Sequence, residues 1–181
     1  MKISDRQFRF VAIGIWVLLW GIVGVGCSPA PEMPRGETVR VERVVSGQTL
    51  EIVDRGADIP VLRRVRLIGI SAPDLRQDPW GSQAQQKLEE LCQGRQVLLE
   101  WDEKKEDRYD RLIAYAWLDG LLLNEELVKG GYALADGGIY NTKYRRRLEY
   151  AQSWARIMGL GIWNPREPMR LTPREFRNQP N

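Results

Sequence analysis

The chain has 181 residues, 43% of them apolar and 28% charged, and this composition excludes a collagen-like, low-complexity or wholly disordered protein. Histidine is absent, which excludes mechanisms that need a Ser-His or Cys-His pair or a histidine-bound zinc ion. The formal net charge is +3. Without residues 1–26 the net charge falls to +1, because 24 basic and 23 acidic side chains remain. This small net charge excludes a protein that coats DNA with uniform positive charge.

The N-terminal segment is apolar. Residues 10–25 carry no charged side chain and follow a positively charged start. At about 1.5 Å per residue, a helix of this length is shorter than the ~30 Å hydrocarbon core of a membrane, which favours a signal peptide over a permanent span. Cys27 follows directly and resembles the acylated cysteine of a bacterial lipoprotein signal. Lipidation of Cys27, an uncleaved anchor and ordinary cleavage are the alternatives for residues 1–27, and the segment predicts a protein that is exported or membrane-tethered at the cell envelope or periplasm.

A short linker separates this segment from a β-rich half. Residues 28–37 contain three prolines and are typical of a tether. Residues 38–45 alternate apolar and charged side chains, and residues 49–53 resume after a turn that contains Gly47, which predicts a β-hairpin. A third strand is predicted over residues 61–70.

A helix and two further strands follow in the sequence. Apolar residues at helical spacing predict a helix over residues 82–92. Its last residue, Cys92, is predicted to be a small buried hydrophobe rather than a reactive thiol. The two strands are predicted over residues 96–101 and 111–118.

The last third of the chain is predicted to be helical. Asn124 is predicted to cap a short helix that ends at Gly130. A longer helix over residues 142–158 presents one apolar stripe. The C-terminal segment, residues 165–181, shows no periodicity and is predicted to be disordered.

The order of these elements predicts the fold class. Five short strands with a helix between the third and the fourth are typical of a five-stranded OB-fold β-barrel, here an α+β fold with about three α-helices after an N-terminal signal or anchor helix. The open face of such barrels often binds oligonucleotides. Fold alone does not establish a function.

Five short segments carry a more specific resemblance. They read VSGQT at 45–49, RLIGISAPD at 66–74, DRYDRL at 107–112, VKGGYA at 128–133 and GIW at 161–163. In order and spacing they resemble the thermonuclease, or staphylococcal nuclease-like, family, and the resemblance covers residues 38–164. It implies a calcium-dependent phosphodiesterase that hydrolyses DNA and RNA.

The resemblance implies a role for individual positions. Arg66 and Arg111 stand at the positions of the family's two phosphate-binding arginines. Gln48 and Ser71 stand where the family has two metal-binding aspartates, and Asp74 stands where it has a general-base glutamate. The implied catalytic residues are therefore Arg66, Asp74 and Arg111, with Gln48 and Ser71 at a degenerate metal site.

The two lost aspartates change the electrostatics of this site. Asp74 alone opposes two arginines, so a net negative site becomes net positive. Because calcium affinity depends on the number of charged oxygen ligands, we expect calcium to bind weakly or not at all and hydrolysis to be weak or lost. Asp74 is also one methylene shorter than glutamate, which withdraws the base from the reacting water. Tyr109 and Tyr140 are predicted to lie beside the site as stacking faces for a base or sugar.

Three functions are compatible with these residues. A tethered nuclease of reduced activity would need a substitute metal ligand, for which Glu51 and Asp54 are the nearest candidates. A non-catalytic module would hold DNA, RNA or a phosphorylated ligand through Arg66 and Arg111. An envelope barrel that binds a protein partner would need neither arginine, and then Asp74 would be an ordinary turn residue.

Overall fold

The computed structural model of the protein describes residues 34–54 and 60–179. The predicted signal or anchor segment with Cys27, and most of the predicted linker, lie outside these residues. Within the described ranges, no helix is both long enough and apolar enough to cross a membrane.

Strands form the barrel and two short pairs beside it, and β1, β2 and β3 pair antiparallel in sequence order. The strands are β1 Glu37–Ser46, β2 Thr49–Asp54, β3 Val61–Leu67, β4 Ile70–Ser71, β5 Gln96–Glu100, β6 Leu112–Leu118, β7 Leu121–Leu122 and β8 Leu134–Ala135. β1 buries Val39, Val41 and then Val44, so the spacing of its buried residues changes from two to three. The change coincides with a register shift between Val41 and Arg43, a bulge that inserts one residue and lets both halves of the strand face the core.

Two later strands close the barrel. β5 pairs antiparallel with β1, and β6 pairs antiparallel with β5. β6 also pairs parallel with β3, from Val65 opposite Leu112 to Leu67 opposite Ala114. All seven residues of β6 are buried, as expected for a strand covered on both faces. This closed five-stranded barrel confirms the predicted α+β OB-type fold.

Helices pack against strands of the barrel and against each other. The helices are α1 Trp80–Cys92, α2 Leu123–Lys129, α3 Arg145–Met158 and α4 Pro173–Arg177. α1 packs against β1, and α2 packs against β6 and α3. The predicted helices at 82–92 and 142–158 are therefore confirmed, with starts shifted by two or three residues.

The third strand ends earlier than predicted. It stops at Leu67 because Gly69 adopts a φ of +74°, a left-handed conformation that turns the chain into β4. β4 then pairs with β8 rather than continuing the barrel. The turn at Gly69 therefore separates Arg66 on β3 from Ser71 on β4, and both side chains come to the same end of the barrel.

The prediction that Asn124 caps α2 is wrong. The N-cap of α2 is Leu122, and the Asn124 side chain is fully buried. Its Oδ1 accepts a hydrogen bond from the backbone N of Ala116 at 3.0 Å, and its Nδ2 donates to the carbonyl O of Ile68 at 2.8 Å. Asn124 therefore joins α2 to β6 and to the turn that follows β3.

The prediction that the C-terminal segment is disordered is wrong for residues 165–179. Thr172 and Glu175 form a capping box, in which Glu175 N donates to Thr172 Oγ1 at 3.2 Å and Thr172 N donates to Glu175 Oε2 at 2.8 Å. Pro173 occupies the first turn of α4, where a missing N–H costs nothing. These local contacts form a helix too short to produce apolar periodicity.

The prediction for Cys92 is confirmed. Its side chain is fully buried at the end of α1, and its Sγ donates to the carbonyl O of Leu88 at 3.2 Å. Burial raises the pKa of the Cys92 thiol to about 12, so it is not a nucleophile at neutral pH.

Candidate functional site

An open cleft lies at the end of the barrel where the β1–β2 turn, β3 and the loop before β6 meet. Its volume is about 510 Å³. The lining includes four arginines, Arg66, Arg108, Arg111 and Arg177, and one carboxylate, Asp74. The cleft is therefore positively charged, as the sequence predicted from fewer residues.

Gly47 brings the β1–β2 turn close to the rest of the cleft. A Cβ on Gly47 would lie 2.5 Å from the Cβ of Ala84 and 3.0 Å from the Cβ of Ala72, distances that a larger residue cannot accept. Gln48 follows in the same turn. Its side chain is thus held against the loop that follows β4.

Arg66 projects into the cleft from β3, opposite Thr49 of β2. Its Nη2 donates to the carbonyl O of Ile70 at 3.1 Å, whereas its Nη1 is buried and has no partner among the described residues. Burial, and next the positive charge of Arg111, lower the pKa of Arg66. Arg66 is therefore a poorly solvated cation with unused hydrogen-bonding capacity.

Arg111 lies at the wall of the cleft and is held there by an ion pair. Its Nε donates to Asp107 Oδ2 at 2.8 Å, so it pairs with the acidic loop before β6. Its side chain keeps 30% of its surface exposed and lines the cleft. The ion pair fixes the guanidinium at the cleft wall without enclosing it.

Tyr109 lies where the sequence predicted a stacking face. It lines the cleft with 61% of its surface exposed. The guanidinium carbons of Arg108 and Arg111 lie 4.8 and 5.3 Å from its ring centre. These contacts orient the ring while leaving most of its surface exposed.

Tyr140 does not lie beside this cleft, contrary to the prediction. Its ring lies 3.6 Å below the Nζ of Lys104 and is absent from the cleft lining. The loop that carries it is held elsewhere, because Tyr115 Oη donates to the carbonyl O of Asn141 at 2.9 Å and Lys104 N donates to Asn141 Oδ1 at 2.9 Å. The sequence alone does not reveal these two hydrogen bonds to Asn141, which set the position of the loop.

Gln48 and Ser71, the two neutral residues at the family's metal positions, already have hydrogen-bond donors from the protein beside their side-chain oxygens. Gln48 Oε1 accepts a hydrogen bond from the backbone N of Ala72 at 2.8 Å. Ser71 is 8% exposed, and its Oγ lies 3.5 Å from Arg177 Nη2. Both oxygens therefore have structural partners.

Asp74 is held in an ion pair. Its Oδ1 accepts from Arg76 Nε at 2.9 Å and from the backbone N of Arg76 at 3.1 Å, and its Oδ2 accepts from Arg76 Nη2 at 3.3 Å. The side-chain hydrogen bond from Arg76 is the main reason that the pKa of Asp74 is lowered. A carboxylate with a lowered pKa and three donors is a poor general base at neutral pH.

The residues of the cleft do not fit calcium. Calcium takes six to eight oxygen ligands and binds tightly only when several are charged, whereas this lining offers one carboxylate, already paired. In residues 34–54 and 60–179, no group of three or more Cys, Asp or Glu side chains could hold a metal ion. Glu51 does not substitute, because Arg43 and Arg64 bind its carboxylate at 2.8 and 3.1 Å. The Asp54 side chain lies outside what the structure describes.

Arg177, like Arg108, is a cleft arginine that the sequence did not predict. It comes from α4, in the segment predicted to be disordered. The run Thr172-Pro173-Arg174-Glu175 was the available signal, because a threonine followed three residues later by glutamate, with proline at the first helical position, is typical of a helix start.

Comparison with known proteins identifies relatives of this chain. The family described as staphylococcal nuclease homologue matches residues 64–165. The chain is 35% identical over 171 residues to a thermonuclease of Staphylococcus intermedius, an alignment that covers 90% of this chain and 99% of that protein. It is 34% identical over 133 residues to a thermonuclease of Staphylococcus hyicus, covering 71% of this chain and 76% of that protein. It is 30% identical over 131 residues to an uncharacterized endonuclease of Escherichia coli O157:H7, covering 72% and 79%.

Proposed function

The chain belongs to the staphylococcal nuclease homologue family, and we propose that its cleft binds the phosphodiester backbone of DNA or RNA without calcium and hydrolyses it weakly or not at all. The observation that carries the proposal is the Arg66 guanidinium, which lines the cleft with Nη1 buried and unpartnered within the described ranges. A partly buried cation with a buried, unused donor is costly, and an anionic oxygen in the cleft would offset that cost.

The geometry of the arginines suits a phosphate group. Arg66 and Arg111 both line the cleft, and a guanidinium presents paired N–H donors that match two phosphate oxygens. Tyr109 offers an exposed ring beside them, on which an unpaired base can stack. The combination favours a single strand over a duplex, whose bases are already stacked.

The chemistry of the cleft argues against efficient hydrolysis. Phosphodiester cleavage needs a base to activate water and positive charge to stabilise the transition state. Arginines supply the charge, but the one carboxylate in the lining, Asp74, is paired with Arg76 and is ionised at neutral pH with little tendency to take a proton. Having Gln48, Ser71 and Asp74 at the family's metal and base positions therefore impairs hydrolysis more than it impairs binding.

The place of action is also part of the proposal. The apolar run at residues 10–25, followed by Cys27, supports export and attachment to a membrane at the cell envelope. The nucleic acid bound there would be extracellular or periplasmic rather than genomic.

Fluorescence anisotropy of a short labelled single strand, mixed with the full chain in non-ionic detergent and EDTA, tests the binding proposal. The unmodified chain should bind saturably, and Arg66→Ala should weaken binding roughly 10- to 100-fold, as expected for losing a charge-assisted contact. The control Arg95→Ala, which removes an exposed arginine paired with Asp119 outside the cleft, should bind like the unmodified chain. No saturable binding, or equal binding by the two variants, would overturn the proposal.

A further inference from the structure

The C-terminal helix α4 ends against the cleft. Arg177, its last residue, places Nη2 3.5 Å from Ser71 Oγ and lines the cleft together with Arg66 and Arg111. Arg174, one turn earlier on the same helix, is exposed and is not part of the lining. The two basic residues of α4 therefore have different surroundings.

Buried contacts hold the C-terminal segment in this position. The Gln77 side chain, 5% exposed, accepts from the backbone N of Asp74 at 3.0 Å and donates to the carbonyl O of Leu171 at 2.9 Å. The guanidinium of Arg76 lies 5.4 Å from the ring centre of Phe176 while it pairs with Asp74. Gln77, which bonds the backbone N of Asp74, and Arg76, which bonds its carboxylate, thus also contact the segment that carries Arg177.

Arg177 adds to the positive charge of the cleft. Its side chain forms a hydrogen bond with the neutral Ser71 hydroxyl, and no carboxylate in the described ranges forms an ion pair with it, although its charge contributes to lowering the pKa of Asp74. After burial and Arg111, the charge of Arg177 contributes to lowering the pKa of Arg66. Like charges gathered in one cleft cost free energy in the unliganded protein and create a potential that attracts an anion.

We propose that Arg177 is a third phosphate-binding arginine, delivered to the Ser71 side of the cleft by the folded C-terminal segment. This inference rests on the proposed function, because it concerns how the same cleft holds a nucleic-acid strand. Arg177 would contact a phosphate on the Ser71 side, while Arg66 and Arg111 hold the backbone from the barrel. The segment that follows the barrel is then part of the binding site.

The test compares Arg177→Ala, Arg177→Lys and Arg174→Ala in the full chain, with the same labelled single strand in EDTA at several salt concentrations. Arg177→Ala should weaken binding roughly tenfold, the loss expected for one charge-assisted contact. It should also reduce the slope of log affinity against log salt by about 0.7, the share of one phosphate contact on a single strand. Arg177→Lys should retain the slope, and Arg174→Ala should retain both affinity and slope.

The outcomes separate this inference from the proposed function. If Arg66→Ala weakens binding but Arg177→Ala behaves like Arg174→Ala, the inference is overturned and the proposed function stands. Tighter binding by Arg177→Ala would mean that α4 occludes the cleft, which also overturns the inference. No saturable binding by the unmodified chain overturns both. Arg177 is exposed, so its replacement leaves folding intact, and circular dichroism checks this.

Discussion

Gln48 shows how a residue at a metal position can serve the fold. Its side-chain oxygen accepts the backbone N–H of Ala72, which is itself buried. We predict that Gln48→Leu lowers the free energy of unfolding by about 1–3 kcal/mol, because the Ala72 N–H loses its partner. Urea denaturation measures this. Gln86→Leu, at an exposed position bonded to Glu90, is the control and should change stability by less than about 0.5 kcal/mol. Equal effects would contradict this role.

Asp74 contributes stability that depends on pH. Its pKa is lowered in the folded protein, so the contribution is fully present above the unfolded value near 3.9 and is lost as the pH falls through the folded pKa. We predict that Asp74→Asn lowers the free energy of unfolding at pH 7 by about 1 kcal/mol or less, since the carboxylate is partly exposed, and that the difference shrinks towards pH 2.

Denaturation of both proteins across this pH range measures the Asp74 effect. Asp119→Asn is the control, because Asp119 pairs with Arg95 at a largely exposed position. A difference between Asp74→Asn and the unmodified chain that grows as the pH falls would show that the carboxylate is not stabilised as an anion.

Individual cleft residues show which features of the candidate site the sequence could and could not predict. The motif placed Arg66 and Arg111 correctly in one cleft, because a resemblance in order and spacing transfers positions. It did not predict that Asp74 pairs with Arg76, or that Arg177 reaches Ser71, because those partners depend on how loops and the C-terminal segment fold. The charge of the cleft was therefore predicted in sign and underestimated in size.

Among the elements, α2 is joined to its neighbours by hydrogen bonds from the buried side chain of Asn124. It satisfies the Ala116 N–H and the Ile68 carbonyl, both inside the core. We predict that Asn124→Ala lowers the free energy of unfolding by roughly 2–5 kcal/mol, because two buried backbone groups lose partners. Thermal unfolding measures it. Asn164→Ala, which removes an exposed bond to Arg166, should cost less than about 1 kcal/mol, and similar losses would refute the assignment.

Element prediction succeeded where packing follows periodicity and failed where one residue sets the geometry. Alternation over β1 and β2 and helical spacing over α1 were sufficient to predict those elements. The end of β3 depends on the left-handed Gly69, and α4 depends on the pairing of Thr172 with Glu175. Neither produces a repeating apolar pattern, so periodicity could not reveal them.

Across the whole chain, the local distribution of charge indicates the candidate binding site better than the net charge does. The full chain is only slightly basic, yet one cleft combines four arginines with a single carboxylate. We predict that Gln48→Asp with Ser71→Asp raises calcium affinity by several decades, because each new carboxylate at about 4 Å contributes on the order of 4 kcal/mol per unit charge before desolvation.

Arg177 should oppose that gain in calcium affinity. Its guanidinium would pair with the new carboxylate at position 71, so adding Arg177→Ala should raise calcium affinity further. Isothermal titration with calcium chloride measures both steps. Adding Arg174→Ala in its place is the matched control and should leave affinity unchanged. No gain from the two aspartates would mean that these positions do not face a common ion.

Adding calcium to the unmodified full chain bound to a labelled single strand, while following anisotropy and strand length together, measures whether the cleft needs calcium to bind or to cut. We expect the same affinity in EDTA and at millimolar calcium, apart from slight weakening by ionic screening, and an intact strand at both. Binding or cleavage that appears only when calcium is added would contradict it, because the cleft would then need the cation that its arginines are inferred to replace.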